Sequence, residues 1–455
     1  MTPEEKSSAA LFIKFLRFFS TLGSSTWGRF AQIYYNDKGL NPANIGTIEA
    51  VMPLVAVLTQ PVWGIVADRL QSKKRVFCVL KTINTALLLL FAVPAVATGF
   101  IPILLISTAM ACFVAPGLIE AYTLDVCAVT GTSYGEVRLY GAISWGLGAF
   151  VMGILNDRYG FEINFLLYGV FSVTTLCIVA WKFPARDIPQ PPPAPAPLPT
   201  GCSEEVVDTT GPADDDEEAP AEVAKSQHAV AGTGAHTPMS EVLRDLRGTL
   251  MTWDFAIFLA ETVIAGMGIG VVERLLFVYL LNDLSASTSL CGTIVLITVV
   301  FEIPIFHYAE TILRRCGVNG SLLISYMCYC VRVYGYTLLT HDSLHWIFAL
   351  EAMHGVTFAL LWTTIVHRSS ALGPAKWRGT VQSIVNIAYG GLGNGGGALI
   401  GGIVMVHYGA KVMYSGAAAI IFGLFCVRAA SGLVNYMSTM VSMQGQDYYE
   451  ELASE

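Results

Sequence analysis

The chain has 455 residues, of which 54% are hydrophobic and only 13% are charged. Soluble domains carry about 25% charged residues, so this composition excludes an ordinary soluble globular protein and places most of the chain in lipid. The formal net charge of −8 is less informative, because much of the acidic excess lies in two short segments, Asp214–Glu218 and Asp447–Glu455.

Twelve apolar runs follow one another along the chain. Their cores lie near residues 10–35, 43–67, 76–99, 102–127, 137–157, 163–183, 251–281, 288–313, 319–340, 344–368, 379–407 and 412–436. Each is long enough for the ~20 residues that a helix needs to cross a bilayer core. This predicts an all-α membrane protein with twelve transmembrane helices. The first run carries Lys14 and Arg17 and exceeds the length of a signal-peptide core. We therefore expect it not to be cleaved and to form the first transmembrane helix.

A polar segment separates the sixth run from the seventh. It begins with the proline-rich stretch Pro189–Pro199 and continues through Ser, Thr, Gly and acidic residues, a composition that cannot bury a core. The predicted units are a six-helix bundle at 1–184, a disordered linker at 185–240, a second six-helix bundle at 241–437 and an acidic tail at 438–455. Lysine and arginine concentrate in the loops on the linker's side of the membrane, which predicts cytoplasmic termini and a cytoplasmic linker. Plasma membrane and endomembrane remain equal alternatives.

The two halves share an internal repeat. Gly153–Gly160 matches Gly402–Gly409 at Gly, Ile, Tyr and Gly, and two shorter matches keep the same order. The shorter matches are Gly146-Leu-Gly148 with Gly391-Leu-Gly393, and Gly46-Thr-Ile48 with Gly292-Thr-Ile294. The common offset of about 245 to 250 positions predicts two pseudo-symmetric bundles. The glycines between Gly390 and Gly402 are expected to allow close helix packing.

A charged hairpin joins the second and third runs. Gly64, Asp68, Arg69 and the basic stretch Lys73–Arg75 have the spacing of a loop motif, and on this motif the chain resembles the major facilitator superfamily. The family has glycine where Gln71 stands, which predicts a different turn here. The resemblance implies that Asp68 and Arg69 act in gating, as a charge latch between the bundles. An ordinary positively charged cytoplasmic loop is the alternative.

Charges inside apolar runs indicate the function of the first bundle. Inserting one charged side chain at mid-bilayer costs at least about 2.5 to 3.5 kcal/mol of free energy, so such residues usually face a partner or a water-filled cavity. Glu120 and Arg138 are placed to pair and to hold a polyhydroxylated solute, with Trp145 stacking on a ring. This stretch resembles lactose-permease-like sugar and proton symporters and the eukaryotic "associated domain" group, which implies that all three residues contact substrate. A structural ion pair is the alternative.

The second bundle contributes Glu302 in the eighth run, Arg332 in the ninth and Glu351, His354 and Thr357 in the tenth. The spacing of three places the last three residues along one helical stripe. The same resemblance implies substrate binding by Glu302, Arg332 and His354. Thr357 replaces the glutamate that carries the proton in the permeases, so proton coupling is expected through Glu302, Glu351 and His354.

Five other ionisable residues are further candidates to line the cavity: Arg29, Glu261, Glu273, Arg274 and His307. The predicted function is secondary active transport of a small polar, sugar-like solute by alternating access, coupled to protons. We expect a monomer in the lipid bilayer, with no cofactor, metal ion or nucleic-acid partner. The chain is not expected to be an enzyme, because hydrolase and zinc motifs are missing from the sequence. The alternatives are a uniporter, a carrier of nucleosides or organic anions, and a transporter-shaped receptor or scaffold.

Overall fold

The computed structural model describes residues 3–114, 116–182, 248, 252–373 and 377–454. All regular elements in these ranges are helical, and nine segments there are long and apolar enough to cross a membrane. The prediction of an all-α membrane protein is confirmed. The predicted linker at 185–240 lies outside the described residues. The predicted tail begins inside the last helix, whose backbone continues to Ser454.

The first half of the chain forms eight helices in its described residues. They are α1 (Pro3–Ser25), α2 (Ala31–Asp37), α3 (Pro42–Leu70), α4 (Lys73–Leu89), α5 (Phe100–Cys112), α6 (Pro116–Thr130), α7 (Tyr134–Tyr159) and α8 (Glu162–Lys182). A short 3₁₀ segment, Gly28–Phe30, joins α1 to α2. A second one, Leu90–Ala92, ends α4.

The second half, over residues 252–373 and 377–454, forms seven helices and two π-helical segments. The helices are α9 (Trp253–Leu284), α10 (Thr288–Leu338), α11 (Ile347–Ala352), α12 (Leu361–Leu372), α13 (Arg378–Asn386), α14 (Gly396–Tyr408) and α15 (Ala410–Ser454). The π-helical segments are Gly355–Leu360 and Ile387–Gly395, and a 3₁₀ turn, Leu344–Trp346, precedes α11. The backbone of α10 is broken at Gly317, whose positive φ of 67° suits glycine, so α10 consists of two helices.

The chain crosses repeatedly between two faces. We call the face that holds Gln71 and Lys182 the linker face, and the face that holds Gly160 and Gly409 the far face. The third predicted run, 76–99, was too long: its helical structure ends at Ala92 and Val93 is extended. The residue before a proline is disfavoured in helical conformation, and Pro94 follows Val93.

The turn between α3 and α4 has Gln71 where the family has glycine. Gln71 adopts the left-handed conformation, with φ 45° and ψ 40°, which glycine usually supplies at this position after a helix. The amide of Ser72 donates to the Ala67 carbonyl oxygen at 3.2 Å and that of Gln71 to Asp68 at 3.2 Å. These bonds hold a non-glycine residue in the left-handed geometry, and the expectation of a turn different from the family's stays a prediction.

Replacing Gln71 with glycine is therefore expected to stabilise the protein. The left-handed conformation costs a non-glycine residue about 1 to 2 kcal/mol, and part of that gain is lost to the greater freedom of glycine in the unfolded chain. We expect a net gain of about 0.5 to 1 kcal/mol, measured by denaturant titration in detergent. Leu70→Gly, one position earlier in helical conformation, is the matched control and should destabilise. A loss of stability in Gln71→Gly would contradict the strain argument.

The two halves approach most closely towards the far face, through the glycines of the repeat. A Cβ on Gly46 of α3 would lie 2.2 Å from the Ala398 carbonyl oxygen of α14, and one on Gly402 would lie 2.3 Å from that of Pro42. The matching glycines on α10 and α7 repeat this arrangement: a Cβ on Gly292 or Gly153 would lie 2.4 or 2.5 Å from the opposite backbone. Only glycine permits backbones this close.

A reciprocal amide pair joins the halves at the same face. Asn36 and Asn282 each donate from Nδ2 to the other's Oδ1 at 2.9 Å. The two residues are separated by about the offset of the repeat, so equivalent positions of the two halves meet each other. This is the contact expected on a two-fold pseudo-symmetry axis, where a residue faces its own counterpart.

Candidate functional site

Three interruptions of regular α-helix surround the middle of the molecule. They are the 3₁₀ segment Gly28–Phe30 and the two π-helical segments Gly355–Leu360 and Ile387–Gly395. π-Helical turns are rare and occur frequently at functional sites, and transporters bind solutes where transmembrane helices are discontinuous. Arg29 lies in the first interruption and Tyr389 in the third.

Two ion pairs connect the halves at this level. Arg274 Nη1 of α9 lies 2.9 Å from Glu49 Oε2 of α3. Arg29 Nη1, from the first half, lies 3.9 Å from Glu273 Oε1. Glu273 and Arg274 are neighbours on α9, and each pairs with a residue of the first half that carries the opposite charge. From the sequence, Arg29, Glu273 and Arg274 were only candidates to line the cavity. Glu49 was not identified, because no other charged residue lies at helical spacing from it in its own run.

Glu302 and Arg138 extend this group towards the linker face. The Arg138 guanidinium lies over the Phe306 ring of α10, with its carbon 5.9 Å from the ring centroid. Glu302 lies one helical turn before Phe306 on α10. The structure thus brings Arg138 of the first half against the helix of the second half that carries Glu302. We call Arg29, Glu49, Arg138, Glu273, Arg274 and Glu302 the central cluster.

The predicted pairing of Glu120 with Arg138 was wrong. Arg17 Nη1 of α1 donates to Glu120 Oε1 at 2.8 Å, and the Tyr134 hydroxyl donates to the other carboxylate oxygen. Arg138 lies one helical turn after Tyr134 and extends towards α10 instead, where it meets Phe306. Arg17 was recognisable in the sequence as a cation within an apolar run. A role of Glu120 in substrate binding stays a prediction.

Arg332 and Glu351 form a separate, enclosed ion pair. Arg332 Nη2 donates to Glu351 Oε2 at 2.9 Å and Nη1 donates to Thr357 Oγ1 at 2.8 Å, while the Tyr336 hydroxyl donates to Glu351 Oε1. Both charged side chains have no exposed surface. Each charge is neutralised by its partner inside the second half, and neither side chain faces a solute in this structure. Their predicted roles in binding and coupling stay predictions.

His354 and Tyr389 carry unmet hydrogen-bonding capacity. His354 is buried and stacks on Phe358 at 5.5 Å between centroids. Within the described part of the chain, His354 Nδ1 and the Tyr389 hydroxyl have no hydrogen-bond partner. The Tyr389 ring lies 4.9 Å from the Trp362 ring between centroids. Buried polar atoms are nearly always paired, so both atoms are available for a further hydrogen bond.

Trp145 lies beside the 3₁₀ interruption of the first half. A Cβ on Gly28 would lie 2.3 Å from Cη2 of the Trp145 indole, so the missing side chain at Gly28 makes room for the ring. The indole is half-buried and retains surface for stacking. Its predicted contact with substrate stays a prediction.

The predicted gating residues lie at the linker face. Asp68 and Arg69 are exposed on the last turn of α3, far along that helix from Glu49. Lys73, from the same hairpin, pairs with Asp125 of α6 at 2.7 Å. A latch formed by Asp68 and Arg69 stays a prediction.

Glu261 is the centre of an arrangement that the sequence did not indicate. Arg368 Nη1 lies 2.7 Å from its Oε2, and Arg428 donates from Nε to its Oε1 at 2.7 Å and from Nη2 to Oε2. The Tyr326 hydroxyl donates to Oε1 at 2.9 Å. With four donors in place, Glu261 ties α9, α10, α12 and α15 together and does not line the central cluster. Within the described ranges, no group of three His, Cys, Asp or Glu side chains is placed to hold a metal ion.

Apolar helices of membrane-spanning length, arranged in two halves around a buried cluster of opposite charges, define a membrane transporter of the major facilitator type. Residues 9–415 match the MFS_1 like family, and the chain belongs to that family. The resemblance predicted from the loop motif is thereby confirmed.

Several curated relatives are permeases. The maltose permease of Geobacillus stearothermophilus is 22% identical over 389 residues, covering 84% of each chain. The raffinose permease of Escherichia coli is 31% identical over 138 residues, covering 28% of this chain and 31% of the permease. Among solved structures, the nucleoside transporter NupG has a TM-score of 0.69 at 16% identity, covering 93% of this chain and 98% of that one. The relatives are membrane transporters and not enzymes, and the structural likeness shows the fold.

Proposed function

We propose that this chain is a secondary active transporter that moves a small, polar, uncharged solute across a membrane by alternating access. The observation that carries the proposal is the central cluster, in which the Arg274–Glu49 and Arg29–Glu273 ion pairs join the two halves and the Arg138 guanidinium lies over Phe306 of the other half. Charges placed inside a membrane protein are costly and mark solute or ion pathways. A site shared by two halves is the arrangement from which rocking of one half against the other gives alternating access.

The proposed topology has twelve membrane crossings. Nine segments qualify by length and apolar character in the described part of the chain, and one of them, Thr288–Leu338, is two helices joined at Gly317. The stretch from α1 to α2 and the stretch from α13 to α14 supply the other two. Lysine and arginine at the linker face, among them Arg314 and Arg315, support a cytoplasmic position for that face and for both termini. Plasma membrane and endomembrane are alternatives for the location.

The solute class follows from the charges of the central cluster. Its three arginines and three glutamates balance formally, so a solute with net charge would leave the cluster unbalanced, whereas hydroxyl groups can accept from arginine and donate to glutamate. The relatives named for maltose and raffinose support a sugar-like cargo. Nucleosides are the second candidate, since they also carry several hydroxyl groups.

Coupling to protons is assigned mainly to Glu302. Glu351 is already neutralised by Arg332 inside the second half, whereas Glu302 is half-buried and belongs to the central cluster. A carboxylate at the junction of two halves can bind a proton in one state and an arginine in the other. His354 is proposed to assist through its free Nδ1.

Arg138→Ala tests the proposal. Uptake by proteoliposomes of labelled maltose, raffinose, uridine and gluconate, with and without a proton gradient, identifies the cargo class. Loss of the charge-assisted hydrogen bonds of Arg138 should lower uptake of the transported solute about 10- to 100-fold, because such bonds contribute about 1.5 to 3 kcal/mol. Arg158→Ala, at the exposed far end of the same helix, is the matched control.

Three outcomes decide between the alternatives. Uptake of one solute class that requires Arg138 and the proton gradient supports the proposed symport. Uptake that needs Arg138 but ignores the gradient identifies a uniporter. No uptake of any solute by well-folded protein contradicts the transporter proposal and favours a receptor or scaffold.

A further inference from the structure

An open cavity of about 460 Å³ lies at the far face of the second half, and we call it the far-face cavity. Its walls come from the end of α9, the loop after α10 and the junction of α14 with α15, and they include Tyr279, Asp283, His341, Tyr408, Ala410 and Lys411. Ligand pockets in proteins have volumes of about 300 to 1,000 Å³. Asp283 lies beyond Arg274 along α9, and at about 1.5 Å per residue the cavity is separated from the central cluster by about 14 Å.

The internal repeat gives the cavity a counterpart in the first half. The Tyr34 hydroxyl donates to the Phe91 carbonyl oxygen at 2.7 Å. The Tyr279 hydroxyl, in the wall of the cavity, donates to the Tyr336 carbonyl oxygen at 3.0 Å. Both members of the second bond follow those of the first by the offset of the repeat, so the same contact is made twice. The surroundings of Tyr34 therefore show what occupies this place in the other half.

One aromatic ring of the first half is missing from the second. Phe161 lies 5.3 Å from Tyr34 between ring centroids, and it follows directly after the last glycine of the repeat. Ala410 has that position in the second half. Because alanine has a methyl group where phenylalanine has a ring, the space beside Tyr279 is open. The far-face cavity is thus a place that the first half fills with its own side chain.

The rim of the cavity carries charges of both signs. Asp283 lies near the end of α9 and Lys411 at the start of α15, and both side chains are exposed. Within the ranges that the structure describes, no hydrogen bond or salt bridge joins them. Their counterparts in the first half, Asp37 and Glu162, are both acidic. The second half alone therefore combines an anion, a cation and an open aromatic wall.

We propose that the far-face cavity binds a small zwitterion with an aromatic side group, which is the chemistry of an aromatic α-amino acid. The ligand ring takes the place that Phe161 fills in the first half and packs against the Tyr279 ring, as aromatic pairs commonly do. The Lys411 ammonium donates to the ligand carboxylate, and the Asp283 carboxylate accepts from the ligand ammonium group. This site is additional to the central cluster and does not depend on the proposed transport function.

Isothermal titration calorimetry of the full-length protein in detergent tests the site with L-phenylalanine. Three related probes each lack one part of the ligand: 3-phenylpropionate lacks the ammonium group, phenethylamine lacks the carboxylate and L-alanine lacks the ring. We expect phenylalanine to bind about tenfold or more tightly than each of them, which corresponds to about 1.4 kcal/mol. Equal affinity for phenylalanine and the three probes would contradict the proposed recognition.

Three variants and one control assign the parts of the ligand to side chains. Ala410→Phe restores the arrangement of the first half and should abolish binding without lowering the Tm. Asp283→Asn should weaken phenylalanine binding about tenfold and leave the affinity for 3-phenylpropionate unchanged. Lys411→Gln should weaken phenylalanine binding equally and leave the affinity for phenethylamine unchanged. Glu162→Gln, at the counterpart of Lys411 in the first half, is the matched control and should bind as the parent does.

The result that would overturn the site is a well-folded parent protein that binds no phenylalanine at millimolar concentrations. Binding that survives in Ala410→Phe would place the ligand elsewhere and would also overturn it. If Ala410→Phe fails to fold, parental affinity for phenylalanine in both Asp283→Asn and Lys411→Gln has the same meaning. The measurement involves no uptake, so its outcome is distinguishable from failure of the transport proposal.

Discussion

Glu351→Gln is expected to lower the free energy of unfolding by about 3 to 5 kcal/mol. The substitution leaves the Arg332 guanidinium, which has no exposed surface, without its counter-charge. Removing one partner of a buried pair is strongly destabilising because the other charge stays buried and uncompensated. Denaturant titration in detergent measures the loss. Thr357 alone cannot replace the carboxylate, since its hydroxyl supplies one neutral acceptor.

Glu302→Gln is the matched control for this substitution. Its side chain is half-buried in the central cluster and, among the described residues, is not part of a closed ion pair such as Arg332–Glu351, so we expect a stability change within about 1 kcal/mol and a loss of proton-driven accumulation. The double replacement Arg332→Met/Glu351→Leu should recover most of the stability that the single variant loses. If Glu351→Gln is as stable as the parent and loses only uphill uptake, Glu351 is a coupling residue and the structural role assigned here is wrong.

Gly153→Leu combined with Gly402→Leu is expected to abolish transport, lowering uptake on the order of 100-fold or more. A Cβ at these positions would lie 2.5 Å from the Thr288 carbonyl oxygen and 2.3 Å from that of Pro42, well inside van der Waals contact. The leucines therefore force α7 from α10 and α3 from α14 at the far face. A transporter that cannot close one face cannot alternate, although its site stays accessible from that face.

Gly416→Leu combined with Gly423→Leu is the control, because a Cβ at either position on α15 meets open space. Uptake by proteoliposomes and binding of the identified solute are measured for both pairs. We expect the wedge variant to bind solute without transporting it, and the control to do both. Normal uptake by the wedge variant would show that closure of the far face does not require these glycine contacts.

The predicted site residues separate into three groups in the structure, and the separation has a physical cause. Arg138 reaches Phe306 on the helix that carries Glu302, Glu120 pairs with Arg17, and Arg332 pairs with Glu351. Spacing along one helix indicates which side chains share a stripe. It contains no information about which neighbouring helix that stripe faces, and this is why the predicted Glu120–Arg138 pair was wrong.

The partners of Glu49 and Glu261 likewise could not be predicted from the sequence. Neither has a basic residue one helical turn away in its own helix, and the arginines that pair with each come from other helices. Arg17, by contrast, was visible as a cation in the first run. Arg17 could therefore have been named as a site candidate from the sequence, since an intramembrane arginine requires a partner.

Composition and the length of the apolar runs were sufficient to determine that this chain is an all-helical membrane protein, because a bilayer imposes helix length and apolar character residue by residue. The loop motif and the glycine repeat likewise indicated the superfamily, which the family match confirms. Only the tertiary structure decided which charges pair, which carboxylates are enclosed and where the two halves touch. Those features depend on the rotation of each helix about its axis and on contacts between residues hundreds of positions apart, and local periodicity determines neither.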